Sequence, residues 1–262
     1  FKPVFTLDCN DWVVNGDWLE WDYSVTDGAG VEIMRCSKEL FHWTDVYTLD
    51  IPEPRNALLS LMIVLAIDTA TTDLVAGLVE VTDGQCVTLT ERIIPTRSHN
   101  ELLVPTVVEL LRESGKEFRD LGAVVVGCGP GPFTGLRVGM ATASAFGQAL
   151  GIPVHGVCTH DAVAAQIAAD APEATSLVVT DARRREVYWA QYAGENRVSG
   201  PDVIAPAAVS IEGTDNKTDV VSVPENLREQ LAVEADTFTY VAPLPAGLVA
   251  VADLAATPEP LV

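Results

Sequence analysis

The segment Gly127-Cys128-Gly129-Pro130-Gly131-Pro132-Phe133-Thr134-Gly135-Leu136-Arg137-Val138-Gly139 has the glycine density of a loop that wraps a phosphate. Such loops work through backbone N–H groups and end in Gly-Lys-Ser/Thr. Here Pro130 and Pro132 carry no N–H, and no Gly-Lys-Ser/Thr closes the segment. It reads instead as a tight turn feeding a helix, with Thr134 as the N-cap. Zinc chemistry is also disfavoured. Cys9, Cys36, Cys86, Cys128 and Cys158 form no CxxC pair, and the four histidines stand at no ligand spacing to them. The thiols read as reduced and buried, as in a cytoplasmic protein. Arg183-Arg184-Arg185 is the only dense basic run. It reads as a solvated hairpin tip or as a contact to a partner or RNA. The formal net charge is −21. So acidic a chain repels phosphate backbones, and a role near RNA calls for a basic partner.

The helix after the glycine-rich turn carries two rows of small residues. Gly135, Gly139, Ala143 and Gly147 recur every four positions, and Ala141, Ala145 and Ala149 form a second row. Glycine inside a helix costs about 0.5–1 kcal/mol relative to alanine. A stripe of it therefore calls for a close neighbour, either the protein's own sheet or a second subunit.

Elements that would position these residues follow from periodicity. Ile63 to Ile67, Leu74 to Val81 and Cys86 to Ile94 read as a three-strand meander. Ser98 with Glu101 forms a capping-box pattern. The helix behind it has Leu102, Leu103, Val107, Leu110 and Leu111 on one face. Leu121 to Cys128 is a buried strand, and Thr134 to Leu150 a long helix closed by Gly151. A strand at Val154, a helix from Asp161 to Asp170 and a strand from Leu177 to Thr180 follow. Glu186 to Tyr192 pairs back on that strand. After about Pro201 the sequence is rich in proline and alanine and suggests no elements. No stretch is long and apolar enough to span a bilayer as a helix, and no secretory signal opens the chain, so no membrane role is expected.

Three segments together resemble the TsaB family, the dimerisation subunits of the bacterial machinery that makes threonylcarbamoyladenosine in tRNA. They are Leu65-Ala66-Ile67-Asp68-Thr69-Ala70, the glycine-rich segment above, and Asp181-Ala182-Arg183-Arg184-Arg185-Glu186-Val187-Tyr188. Arg97-Ser98-His99 precedes the first helix as it does in that family. The resemblance implies an α/β fold of actin-like, sugar-kinase (RNase H-like) type, with lobes at 62–160 and 161–262. The second lobe is expected to be truncated at its C-terminal end. In that superfamily the Asp-x-Thr turn handles phosphate and metal. The resemblance places a degenerate version at Asp68, Thr69, Thr71, Gly129, Gly131 and Thr134, with no catalytic residue and no metal of its own. Family members carry serine where this chain has Pro132, so no role for that hydroxyl carries over.

The implied function is a non-catalytic scaffold. The chain would hold a TsaD-like subunit competent to transfer threonylcarbamoyl to the tRNA adenine next to the anticodon. ATP and a divalent metal are expected in that partner. A homodimer when alone, a TsaE-like ATPase as further partner, and tRNA contact only through the complex complete the expectation. TsaB pairs through its first two helices, which points to His99, Leu103, Leu110, Arg137, Ala141 and Ala145. Two other functions stay open: a free-standing metal-dependent peptidase or phosphotransferase of the same superfamily, and a lipid- or membrane-associated β-barrel fragment.

The barrel reading rests on residues 1–61, which have another texture. They hold Trp12, Trp18, Trp21 and Trp43 and read as short strands with turns at Asn15-Gly16 and Asp27 to Gly30. Tyr47, Leu49 and Ile51 alternate like a half-buried strand, and Pro54 to Leu61 is helix-like. Asp11-Trp12, Gly16-Asp17-Trp18 and Ser37 to Asp45 resemble the end of a LURP-one-related barrel, extending through residue 66. The expectation is a composite chain joined at a shared apolar stretch, with the second part starting at Met62.

Overall fold

A computed structural model describes residues 4–6, 13–17, 22–27, 29–39, 46–50, 62–82, 84–211, 213 and 215–261. The chain divides into two compact units, Phe1–Leu61 with Thr82–Gly84, and Met62–Val81 with Gln85–Val262.

The first unit contains an antiparallel meander of β1 (Val4–Thr6), β2 (Val13–Asp17), β3 (Asp22–Thr26), β4 (Glu32–Glu39) and β5 (Val46–Asp50), in that spatial order. Asn15 and Gly16 lie inside β2, paired to Ser24 and Tyr23, so the turn expected there is absent. The second expected turn forms. Asp27 Oδ1 accepts hydrogen bonds from the N–H groups of Ala29 and Val31, and Gly30 takes φ 80°. The four tryptophans and the helix-like stretch 54–61 lie outside the described residues.

The second unit holds two sheets of one design. The first uses β6 (Met62–Asp68), β7 (Asp73–Thr82), β8 (Gln85–Pro95), β9 (Leu121–Gly127) and β10 (Val154–Val157) in the order β10-β9-β6-β7-β8. The second uses β11 (Thr175–Arg183), β12 (Glu186–Ala193), β13 (Asn196–Ile204), β14 (Lys217–Ser222) and β15 (Glu234–Thr239) in the order β13-β12-β11-β14-β15. In both, the first strand pairs antiparallel with the second and parallel with the fourth, and the fourth pairs parallel with the fifth. The second sheet therefore repeats the five-strand pairing pattern of the first. Its helices are what is abbreviated. Where the first lobe has α1 (His99–Ser114) and α2 (Phe133–Leu150), the second has a three-residue turn at Pro206–Ala208 and the four-residue α4 (Glu225–Arg228).

Strand β6 is central and buried on both faces, which is why it reads as an unbroken apolar run. Side chains alternate across a strand. Leu65 and Ile67 meet Leu103, Val107, Leu110 and Ala143 of α1 and α2. Val64 and Ala66 meet Ala162 of α3 (Thr159–Asp170) and Leu248 and Val249 of α5 (Pro245–Ala250) on the other face. The opposite side of α3, through Val163, Ala164 and Ile167, packs on Val178, Ala190 and Tyr192 of the second sheet. A helix covered on two sides needs small residues all round, and α3 is rich in alanine.

Two expected caps do not form. Ser98 precedes α1 without a side-chain cap hydrogen bond, and its own N–H donates to Thr96 Oγ1. Helix α2 begins at Phe133, so Thr134 lies within its first turn and Pro132 holds the N-cap position. Gly151 does close α2, in the left-handed conformation.

Candidate functional site

The Asp68 turn looks inward. Asp68 is fully buried at the end of β6. Thr159 Oγ1 donates to its Oδ2 at 2.7 Å, and the Ala70 N–H donates to its Oδ1 at 2.8 Å. Thr159 Oγ1 in turn accepts from the Gly129 N–H. Burial raises the Asp68 pKa to about 6, with the two hydrogen bonds pulling the other way. Both oxygens are thus engaged inside the fold, tying β6 to α3 and to the glycine-rich turn. Among the described residues no cluster of three or more His, Cys, Asp or Glu is arranged to hold a metal ion.

Thr69 explains the glycines. Its hydroxyl donates to the Gly135 carbonyl at 2.8 Å. A Cβ on Gly135 would sit 2.2 Å from the Thr69 carbonyl oxygen, one on Gly139 2.5 Å from Thr69 Oγ1, and one on Gly131 2.2 Å from the Ala70 carbonyl oxygen. The glycine row is the place where α2 lies directly on the β6 turn. Thr134, by contrast, is exposed and does not join this set. Thr71 accepts a hydrogen bond from the Asp73 N–H and shapes the same turn.

The second small-residue row faces outward. Ala141, Ala145 and Ala149 are exposed, while Gly139, Ala143 and Gly147 are buried. The neighbouring α1 exposes Val104 and Val108 at 45% and 49%, one turn apart. At the start of α2, Phe133 is 78% exposed, and the Arg137 guanidinium lies 5.9 Å from its ring centroid. These residues form an apolar outer surface on the helical layer.

Leu103 and Leu110 are not part of that surface. They are 1% and 0% exposed and pack into the core beneath α1. An amphipathic helix turns its leucine stripe toward its own sheet, and the valines between those leucines face out. His99 also points inward. Its Nε2 is buried, and the ring bonds the Asp73 backbone. Burial lowers its pKa, the Asp73 contact opposes that, and nearby Arg183 adds to the lowering.

Beside the turn, the two lobes touch. Tyr240 OH donates to Asp73 Oδ2 at 2.7 Å, and Tyr188 OH to the Gly131 carbonyl at 3.4 Å. A small cavity of about 80 Å³ remains, lined by Thr71, Thr72, Thr180, Asp181, Arg183, Asn226 and Tyr240 among others. Arg183, Arg184 and Arg185 form the hairpin tip at its rim.

A model of the TsaD family, tRNA N6-adenosine threonylcarbamoyltransferase, matches residues 88–249. The chain belongs to this family, and within it is TsaB-like. It is 35% identical over 131 residues to the tRNA threonylcarbamoyladenosine biosynthesis protein TsaB of Escherichia coli, covering 50% of this chain and 55% of that one. Uncharacterized proteins of Mycobacterium leprae and Mycobacterium tuberculosis are 46% and 47% identical over 208 and 206 residues, each covering 76% of this chain. The match spans 53% of the Mycobacterium leprae protein and 89% of the Mycobacterium tuberculosis one. Among solved structures, YeaZ from Pseudomonas aeruginosa superposes with a TM-score of 0.59 at 25% identity, covering 72% of this chain and 89% of that one. The duplicated sheet is thus the actin-like α/β fold that the motifs implied.

Reasoning from sequence missed several residues of this TsaB-like site. Thr159 and Tyr240 carry its polar contacts but sit in no motif pattern, and Tyr188 closes the Asp181 to Tyr188 segment with no role assigned to its hydroxyl there. Val104 and Val108 could have been found, because they fall one turn apart between the core leucines of α1.

Proposed function

We propose that this chain is a non-catalytic subunit that supports threonylcarbamoyl transfer to the tRNA adenine next to the anticodon by a TsaD-like partner. The observation that carries the reading is the division of labour on α2. One small-residue row is locked against the Thr69 turn, and the other is exposed beside Val104 and Val108. Small and apolar exposed positions on neighbouring helices suit close helix-to-helix docking. We assign the partner surface to Ala141, Ala145, Arg137, Phe133, Val104 and Val108. Alone, the chain would use this surface to pair with a second copy.

The degenerate phosphate turn supports the absence of chemistry in this subunit. A carboxylate that orients a metal-bound water needs a free oxygen facing the ligand, and both oxygens of Asp68 are engaged internally. This reading assigns ATP and the divalent metal to the partner, with a TsaE-like ATPase as a further member and tRNA held through the complex. No helix among the described residues is long and apolar enough to cross a membrane.

The test is threonylcarbamoyl transfer by the cognate TsaD-like subunit with and without this chain, beside ATP turnover by the chain alone. Transfer should require the chain. Turnover by the chain alone above about 1 s⁻¹, the low end for enzymes, would favour the phosphotransferase reading.

A further inference from the structure

The hairpin tip between β11 and β12 is unusual in charge and in backbone. Arg183, Arg184 and Arg185 are all exposed. All three have positive φ, at 62°, 52° and 68°, a region that favours glycine. Among the described residues, none of the three takes part in an ion pair. The acidic groups nearest in sequence are accounted for. Asp181 Oδ1 accepts the Arg183 N–H, and Glu186 is an exposed residue at the base of the tip. Arg97, also exposed, belongs to the same end of the molecule. The Thr96 N–H donates to the Thr72 carbonyl at 3.0 Å, and Thr72 lines the small cavity together with Arg183. Three exposed arginines thus share one hairpin tip, Arg183 lining the cavity whose Thr72 pairs with the residue before Arg97, in a chain whose net charge is −21.

We propose that the Arg183–Arg185 tip, with Arg97 beside it, binds the phosphate backbone of an RNA within the assembled complex. The choice of RNA rests on the functional reading above, and the choice of phosphate rests on the guanidinium fork, which matches phosphate oxygens two at a time. The acidic balance restricts where such contact is possible. Charges are screened over about 8 Å at physiological salt, so the local balance of the tip, three arginines against Asp181 and Glu186, governs its meeting with a phosphate more than the net charge of the chain does. The paired strands on either side hold the backbone of the three adjacent arginines in place, while their exposed side chains are left to order on binding. Phe133 and Arg137 continue the outer stripe of α2 and belong to the partner surface instead.

The experiment measures tRNA affinity of the chain assembled with its cognate TsaD-like subunit, across a salt series. Wild type is compared with Arg184→Glu/Arg185→Glu, with Arg184→Lys/Arg185→Lys, and with Lys217→Glu/Arg228→Glu as a control on β14 and α4, away from α1 and α2. The tip glutamates should weaken tRNA binding at least about tenfold. They should also lower the slope of log K against log salt by about 2, one unit per lost phosphate contact. The lysine pair should retain most of the affinity, and the control should match wild type. Complex assembly, read by sedimentation, should be the same for every variant. Unchanged affinity and slope in an assembled tip variant overturn this inference and leave the scaffold reading intact. Loss of assembly confined to the tip variant means that the arginines meet an acidic protein surface, which also overturns it. A wild-type chain that fails to assemble overturns the scaffold reading and this inference with it.

Discussion

Gly139 lies so close to Thr69 that a methyl group on it would sit 2.5 Å from the Thr69 hydroxyl oxygen. Helix propensity alone favours alanine over glycine by about 1 kcal/mol. The close approach should reverse that sign, because overpacking a fixed core costs about 1–3 kcal/mol. Gly139→Ala is therefore expected to lower stability, and Gly139→Trp to lower it further. Urea unfolding midpoints check this. A Gly139→Ala protein more stable than wild type would show that α2 does not bear on the Thr69 turn.

Two buried groups oppose each other as pH falls. Burial raises Asp68 to about 6, above its ordinary 3.8, so the folded state gains relative stability as pH drops from about 6 to 4. Burial lowers His160 from 6.5 to about 3, so the folded state loses stability as pH drops below 6.5. Each acts at about 1.4 kcal/mol per pH unit within its window. Asp68→Asn removes the gain and keeps the loss. The variant should lose about 3 kcal/mol relative to wild type between pH 7 and pH 4. Denaturant unfolding of both proteins at several pH values reads this difference directly. Parallel curves would mean that burial does not raise the Asp68 pKa in the folded protein.

A chain beginning at Met62 should keep the second unit. Strand β6 starts there, and the compact unit that contains it begins at the same residue. Among the described residues, its core clusters draw on positions from 62 onward. The shortened chain is expected to unfold cooperatively and to bind the TsaD-like partner as the full chain does. Calorimetry and a binding titration decide this, and an unfolded or partner-blind product would make residues 1–61 integral.

What the sequence revealed, and what it hid, follows from which side chains are buried. Strand β6 was legible because both its faces are covered, and α2 because its small residues repeat every fourth position. Strand β13 gave no signal because most of its side chains are exposed and it carries Pro201 at a sheet edge, where the missing N–H is tolerated. Leu103 and Leu110 illustrate the error most open to correction in advance. The pattern offers them both as the apolar face of α1 and as a partner surface, and a leucine buried in its own core does not also face a neighbour. Asp68 was legible as a turn residue, but its hydrogen bond to Thr159, 91 positions away, depends on tertiary packing that no local pattern carries.

The central claim is that the outer row of α2 is a docking surface while the inner row holds the fold. Ala145→Trp tests it most directly, measured for melting temperature and for affinity toward a second copy and toward the TsaD-like partner. Ala145 is exposed, so the indole should leave the melting temperature within about 2 °C of wild type, as surface changes do. It should weaken pairing at least about tenfold, equivalent to about 1.4 kcal/mol. A folded Ala145→Trp protein that pairs with wild-type affinity would contradict the account and remove this helix from the interface.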